Sequence, residues 1–322
     1  MKSIRLLSVA VAFFGISAIC SAQTLQEVVE ALKNGSELNA AGDLDGAITE
    51  LEKCVDLATK IGEEAEEHQI VAESALPNLY LQRANKINAT RDFPATVKAL
   101  EATIAAAEKY NNADIKDRAE KTLPQVYYAM GAADFQAQKF EEAIQNLDQV
   151  IARDPEMAHA YFVRGASYQS LKNEAQMEEN YRLAIEKGTA NGVAATVQQA
   201  KTQLTRYFNN AGATAQRTQR WDDAIAAFSK TVEVDSENAD AYYSLLSCYN
   251  SKKSWDNAIS SGEKALELVT SGDRLNGIYY NLGTAYAGKN NNAKACEYFK
   301  MVGEGNFLAG AKYQVETALK CK

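Results

Sequence analysis

Residues 127–155 decide the fold: Tyr127-Tyr128-Ala129-Met130-Gly131, then Phe140-Glu141-Glu142-Ala143, then Leu147, Val150 and Pro155. Tyr127, Met130 and Gly131 stand at i, i+3 and i+4, one face of a helix. Phe140, Ala143, Leu147 and Val150 keep the same spacing, so a second helix follows. A Gly inside a helix costs about 1 kcal/mol relative to Ala. Gly131 is tolerable there if the second helix passes close to its backbone, with Ala143 as the complementary small residue. Small against small brings the two axes toward the low end of the usual ~8–10 Å spacing. Tyr127 and Phe140 then close the two sides of the contact.

The pattern recurs outward in both directions. The anchors are Ala47, Thr96, Ala143, Met177, Ala224, Ala258 and Ala295, with successive gaps of 49, 47, 34, 47, 34 and 37. A recurring period specifies a stacked array, not one globular core. The first-helix motif returns as Tyr161/Arg164/Gly165/Tyr168, Phe208/Ala211/Gly212, Tyr242/Leu245/Leu246/Tyr249 and Tyr279/Leu282/Gly283/Tyr286. The second-helix motif returns as Trp221/Ala224/Phe228/Thr231 and Trp255/Ala258/Ala265.

With these motifs in phase, the chain resembles the tetratricopeptide repeat family, whose helix-turn-helix unit matches the 34-residue gaps. The resemblance covers nearly all of the chain after its leader. It implies an all-α, right-handed superhelical α-solenoid of about seven helix-turn-helix repeats over 23–304. A C-terminal capping helix and tail over 305–322 complete it. Phe307, Leu308, Ala311, Val315 and Leu319 lie near the helical spacing of such a cap, which covers the apolar edge that the last repeat of a solenoid leaves open. No Pro/Gly/Ser linker interrupts the array.

Departures from the pattern carry expectations of their own. Thr96 and Met177 replace the small anchor, so those pairs should be splayed or shifted. Leu246 replaces a Gly and Gly262 a bulky residue, so the sixth repeat should be looser. The long gaps place extra residues around Gly62–Ser74, Asn111–Thr122 and Gly188–Gln199. Rich in Ala, Glu, Lys and Gln, these read as added turns on adjoining helices. Pro77 and Pro124 should mark kinks or fresh helix starts. Pro94 opens a second helix, and Pro155 lies in a turn between repeats.

Residues 1–22 read as a secretory signal peptide: Lys2 and Arg5, a short apolar run from Leu6 to Ile19, then Cys20-Ser21-Ala22. The run is shorter than an ordinary spanning helix, and no later stretch is apolar enough to span a membrane. Cleavage before Gln23 is the favoured reading. A lipid anchor at Cys20 is the alternative, disfavoured by the bulky Ile19. The Ala22-Gln23 ending resembles leaders of Bacteroidetes-type Gram-negative bacteria, which implies export to the periplasm or cell envelope.

The formal charge is −8, and −10 once Lys2 and Arg5 are removed. An acidic chain without a basic run is a poor ligand for nucleic acid or anionic lipid. The run Glu63-Glu64-Ala65-Glu66-Glu67 reads as a solvated helix face. Four cysteines follow the leader: Cys54, Cys248, Cys296 and Cys321. An oxidising compartment invites disulfides. A hairpin turning near Glu304, however, puts Cys321 ~12 Å beyond the position facing Cys296, and a bridge needs Cα atoms within ~7 Å. Buried or free thiols are expected, unless the tail folds back.

Catalytic chemistry finds no foothold. His68 and His159 are the only histidines, and neither has a Cys or carboxylate at metal-ligand spacing. There is no Gly-rich phosphate loop, nucleophile elbow or HExxH. Glu141-Glu142 and Asp222-Asp223 open second helices, where they complement the helix dipole. No cofactor, no metal and no enzymatic activity are expected.

The family resemblance assigns an inner groove to the first helices. The residue after each motif aromatic points inward, as do those four and seven further on. The first row reads Leu81, Tyr128, Phe162, Asn209, Tyr243 and Tyr280. The second reads Asn85, Ala132, Ala166, Ala213, Ser247 and Thr284. The third reads Asn88, Phe135, Gln169, Gln216, Asn250 and Ala287. Aromatics supply contact area at low entropic cost, small residues leave room for a ligand backbone, and amides hydrogen-bond an extended peptide in both directions. Asn85, Tyr128, Phe135, Phe162, Gln169, Asn209, Gln216, Tyr243, Asn250 and Tyr280 are the candidate contacts. The competing reading packs these aromatics against neighbouring repeats or a helix of the same chain. Arg206 and Arg217 are isolated, so the family's basic clamp for C-terminal carboxylates is not matched. The expected function is a non-catalytic exported interaction scaffold holding a protein or peptide partner. A small-ligand or glycan-binding envelope protein is the alternative.

Overall fold

The computed structural model describes residues 25–322. The leader, its cleavage before Gln23 and the alternative acylation at Cys20 lie outside those residues. Among them there is no strand, and the chain is an all-α solenoid of consecutive helical hairpins. Two compact units divide it, at Glu174 and Ala175.

In the first unit α1 (residues 25–40) is followed by α2 (Leu44–Ile61), α3 (Glu66–Ala89), α4 (Phe93–Lys109), α5 (Ala113–Gln136), α6 (Phe140–Arg153) and α7 (Ala158–Ser170). From α2 to α7 each helix packs on the next. The first helices of neighbouring repeats also touch, α3 with α5 and α5 with α7. They therefore form a layer of their own. Val28, Ala47, Leu51 and Leu76 start the core, and Leu100, Leu123 and Val126 continue it.

The second unit comprises α8 (Glu174–Ala190), whose first residue closes the other unit, α9 (Ala194–Arg217), α10 (Trp221–Val234), α11 (Ala239–Ser251), α12 (Trp255–Leu268), α13 (Asp273–Gly288), α14 (Asn292–Lys300) and the short α15 (Leu308–Tyr313). Here α11 touches α13, again a first helix against a first helix.

One packing rule explains why these hairpins close. A Cβ on Gly35 would lie 2.7 Å from Leu51 Cδ2, one on Gly131 2.9 Å from Leu147 Cγ, and one on Gly283 2.8 Å from the Phe299 ring. Gly212 meets Phe228 in the same way, at 2.8 Å. In each pair the large residue follows the Gly by 16 positions. The sixth repeat obeys the rule in reverse. Leu246 is large on the first helix and Gly262 is small on the second, and a Cβ on Gly262 would come within 3.3 Å of Leu246 Cδ2 and 2.5 Å of Leu282 Cδ2. The expected looseness is therefore corrected: the knob and the hole have exchanged helices, and Leu246 is fully buried. Thr96 and Met177 are also buried at their anchors. Thr96 satisfies its hydroxyl on the Asp92 carbonyl at 2.7 Å.

The long gaps do become helix. α3, α5 and α9 have 24 residues each, against 13 in α7 and α11. The two prolines do not start helices. Pro77 and Pro124 lie inside α3 and α5, which run unbroken through them. A proline removes one backbone donor and crowds the carbonyl four residues back. Packing along both halves of these helices outweighs that local cost, since Ala72, Leu76 and Leu79 are all buried around Pro77. Helices α4 to α7 recur as α8 to α11 at a constant shift: α4 and α8 have 17 residues, α5 and α9 24, α6 and α10 14, α7 and α11 13. Their starts, from Phe93 and Glu174 onward, differ by 81 throughout.

The C-terminal cap is shorter than its apolar spacing predicts. α15 ends at Tyr313, and Gln314–Ala318 widen into a π turn. The Cys321 amide then donates to the Val315 carbonyl at 2.8 Å. This folds the tail back, and Cys296 and Cys321 form a disulfide with Cα atoms 5.7 Å apart. The expectation of free thiols is corrected for this pair, because it carried the helix straight on to Cys321, whereas the tail takes the folded-back course that allows the bridge. Cys54 and Cys248 are free and buried. Burial pushes both thiols up, Cys248 to about 11, which keeps them protonated and unreactive at neutral pH.

Candidate ligand-binding faces

The candidate residues sit on the layer made by the first helices. In the first unit Tyr128 is half-buried on α5 and meets His159 of α7 edge to face, with ring centroids 6.3 Å apart. Burial raises the Tyr128 hydroxyl above its ordinary pKa. One row down, Phe135 packs on Phe140 at 5.7 Å, so it turns toward the start of α6. Asn85 is exposed on α3, and Phe162 and Gln169 are half-buried on α7. Leu81, first in its row, belongs to the core.

The second unit gathers a denser set. The Tyr243 ring lies under the Arg274 guanidinium, 5.0 Å from its centroid, and Arg274 pairs with Asp240 at 2.9 Å. Burial is the main cause that raises the Tyr243 hydroxyl, with Arg274 and Asn281 opposing it. Asn250 donates through Nδ2 to the Asn281 carbonyl at 2.9 Å and to Asn281 Oδ1 at 3.3 Å. Asn281 in turn donates to the Gly277 carbonyl at 2.8 Å. Gly277 is small because a Cβ there would fall 2.8 Å from the Tyr243 hydroxyl. Tyr243, Asn250, Asn281, Arg274 and Asp240 thus form one polar-aromatic face across α11 and α13.

Asn209, Tyr280 and Asn250 are also engaged within the chain. Asn209 accepts a hydrogen bond from Thr231 Oγ1 at 3.0 Å, so it looks toward α10. Tyr280 is closed over by the C-terminal cap, with centroids 5.5 Å from Phe299 and 5.4 Å from Phe307. Asn250 ties its two repeats together, as above. Gln216 is half-buried near the end of α9. Asn281, Arg274 and Gly277 were not singled out from the sequence. The signal for them was their spacing on α13, one face beginning a turn before the rows that were read. Among the described residues no group of His, Cys, Asp and Glu could hold a metal ion. No described helix is long and apolar enough to cross a membrane.

Hairpins packed Gly into Leu or Phe, with first helices layered edge to edge, define an α-helical repeat scaffold. Residues 128–187 and 210–273 match one tetratricopeptide repeat family model, and residues 277–300 match another. Over those residues the chain carries tetratricopeptide repeats. No curated protein sequence matches it. Among solved structures it is similar to MamA (22% identity, 61% of this chain and 95% of that one, TM-score 0.29). It is also similar to YrrB, described as a TPR protein with an unusual peptide-binding site (20%, 54% and 82%, TM-score 0.29). A tetratricopeptide repeat protein from Parabacteroides merdae aligns over 92% of this chain and 100% of its own, at 13% identity and TM-score 0.31.

Proposed function

We propose that the protein is a non-catalytic interaction scaffold, exported to the cell envelope, which binds a protein or peptide segment on its first-helix faces. The observation that carries this reading is the α11–α13 face. Tyr243, Arg274 and Asp240 lie beside an amide chain from Asn250 through Asn281. Aromatic area with oriented donors and acceptors suits an extended peptide backbone. Tyr128 with His159 offers a smaller second contact. The Cys296–Cys321 disulfide supports export, because such bonds persist in oxidising compartments.

The test is affinity capture of envelope proteins with the mature chain and with a Tyr128→Ala/Tyr243→Ala double variant. Capture should fall severalfold in the variant while its helical circular dichroism is retained. Equal recovery of the same partners by both chains sinks the inner-face assignment.

A further inference from the structure

The helix extensions create something the short repeats lack. α5 begins 11 residues before Pro124, and this added half packs beside the added end of α4. α6 is only 14 residues long and stops at Arg153. Past that point the long hairpin has no second helix beside it. A cleft of about 580 Å³ opens there, floored by Ile104, Ala105 and Leu123 and rimmed by Glu101, Glu120 and Arg153. That volume lies within the range of about 300–1,000 Å³ usual for ligand clefts.

The rim charges are unevenly satisfied. Glu108, also in the rim, and Glu120 share Lys116, at 2.7 and 3.8 Å. Arg153 lies over the Tyr127 ring, 4.9 Å from its centroid, and donates to Gln149. Glu101 is exposed above the apolar floor, and no ion pair among the described residues takes it.

The second unit supplies an internal comparison. At the constant shift of helices α8 to α10 stands a cleft of about 350 Å³, lined by Arg182, Ile185, Glu186, Lys201, Glu233 and Val234. Ile185 occupies the register of Ile104, and the buried Leu204 that of Leu123. Arg182 stands where Glu101 does, and Lys201 where Glu120 does. Arg182 is neutralised inside the chain, by Glu178 at 3.0 Å and Glu233 at 3.2 Å. The framework therefore accepts either sign at this position. In the first unit it carries a carboxylate with no partner of its own.

We propose that the α4–α5–α6 cleft is a second binding site, sharing no residue with the candidate contacts on the first helices, for a basic side chain of a partner protein flanked by apolar residues. The guanidinium or ammonium group meets Glu101, and the neighbouring aliphatic groups cover Ile104 and Leu123. Charge complementarity at an exposed rim acts mainly on encounter and selectivity, and salt weakens it.

The probe is fluorescein-labelled Leu-Arg-Leu-amide, followed by fluorescence anisotropy at low salt with the full mature chain. Its Leu-Gln-Leu counterpart and a Glu101→Arg variant, which installs the residue of the other cleft, should each bind roughly threefold to fivefold more weakly. Because Glu101 is exposed, the variant's thermal midpoint should match the parent, which keeps a binding loss attributable to the site. Equal binding by parent and variant overturns the proposal, as does no measurable binding of the Arg peptide. Displacement of the peptide by butylguanidine at equal affinity also overturns it, since the site then takes small cations. The first-helix faces are tested by other substitutions, so either reading can fail alone.

Discussion

The Gly131–Leu147 contact permits a quantitative test of the packing rule. Gly131→Ala adds a methyl group 2.9 Å from Leu147 Cγ and 3.2 Å from the Ala143 carbonyl oxygen. Carbon atoms in good contact sit about 3.5–4.0 Å apart, so Leu147 must move while the Ala143 backbone resists. Overpacking of this kind costs about 1–3 kcal/mol. Replacing Gly by Ala within a helix returns about 1 kcal/mol. The single variant should therefore lose between roughly 0 and 2 kcal/mol. Leu147→Ala, at a fully buried position, should lose about 2–5 kcal/mol. In the double variant the new methyl enters space that Leu147 vacated. The overpacking disappears, the helix gain remains, and the double variant should be more stable than Leu147→Ala alone. The coupling is then about 1–3 kcal/mol in favour of the pair. Urea unfolding followed by circular dichroism, with all four proteins at one temperature, measures it. Additivity within about 0.3–0.5 kcal/mol refutes the reasoning, because it means that Leu147 does not hold the hole shut over Gly131.

Three further outcomes follow from other parts of the chain. Replacing both Cys296 and Cys321 by Ser should release the tail; a 25-residue separation corresponds to about 3.5 kcal/mol in the chain-entropy description, and hydrogen exchange over 308–321 should rise while exchange in the first unit stays unchanged. Gln219, at φ 57, holds a left-handed turn conformation that costs an ordinary residue about 1–2 kcal/mol, so Gln219→Gly should raise the unfolding midpoint, and a lower midpoint contradicts the assignment of strain to that turn. Tyr80 is pushed up to about 12 by burial first, then by its hydrogen bond to Glu52. A raised acid stabilises the fold fully below its unfolded pKa of about 10 and ceases to do so as pH climbs through the folded value. Stability should thus decline between those two limits, and Tyr80→Phe should flatten the decline; identical pH profiles count against it.

The fold was legible because its determinant is periodic. The i, i+3, i+4 placement of Tyr127, Met130 and Gly131, repeated in phase, fixes both the helix and the face that its partner covers. The long helices were legible too, since Ala, Glu and Gln fill the extra residues of α3, α5 and α9. The prolines misled as helix starts, because local backbone chemistry ignores tertiary packing. Pro77 lies between buried Leu76 and Leu79, and those contacts keep one helix where propensity alone suggests two. The faces were only half legible. The register placed Tyr128, Tyr243 and Asn250 on the first-helix layer, but it could not show that Tyr280 is covered by Phe307 or that Arg274 sits over Tyr243. Both contacts join residues about thirty positions apart, beyond the reach of a pattern read within one helix.

The reversed pair Leu246/Gly262 shows what the repeat conserves physically. A motif written as residue types treats Leu246 as a defect, since a large side chain replaces the Gly. The contact itself asks only that one partner be large and the other small. Leu246 is fully buried, and the space at Gly262 is taken by Leu246 and by Leu282 of the next first helix. The exchange therefore alters which neighbour shares the hole. At Gly131 the hole is filled within one hairpin, by Leu147, whereas at Gly262 a Cβ would come closest to the following repeat. A substitution at Gly262 should accordingly disturb the α12–α13 junction as much as its own hairpin. Gly262→Ala should loosen protection from hydrogen exchange in α13, while Gly131→Ala should act within α5 and α6. The same exchange pattern from both variants would mean that the reversed pair closes its hairpin as the ordinary ones do, and that Leu282 adds nothing to it.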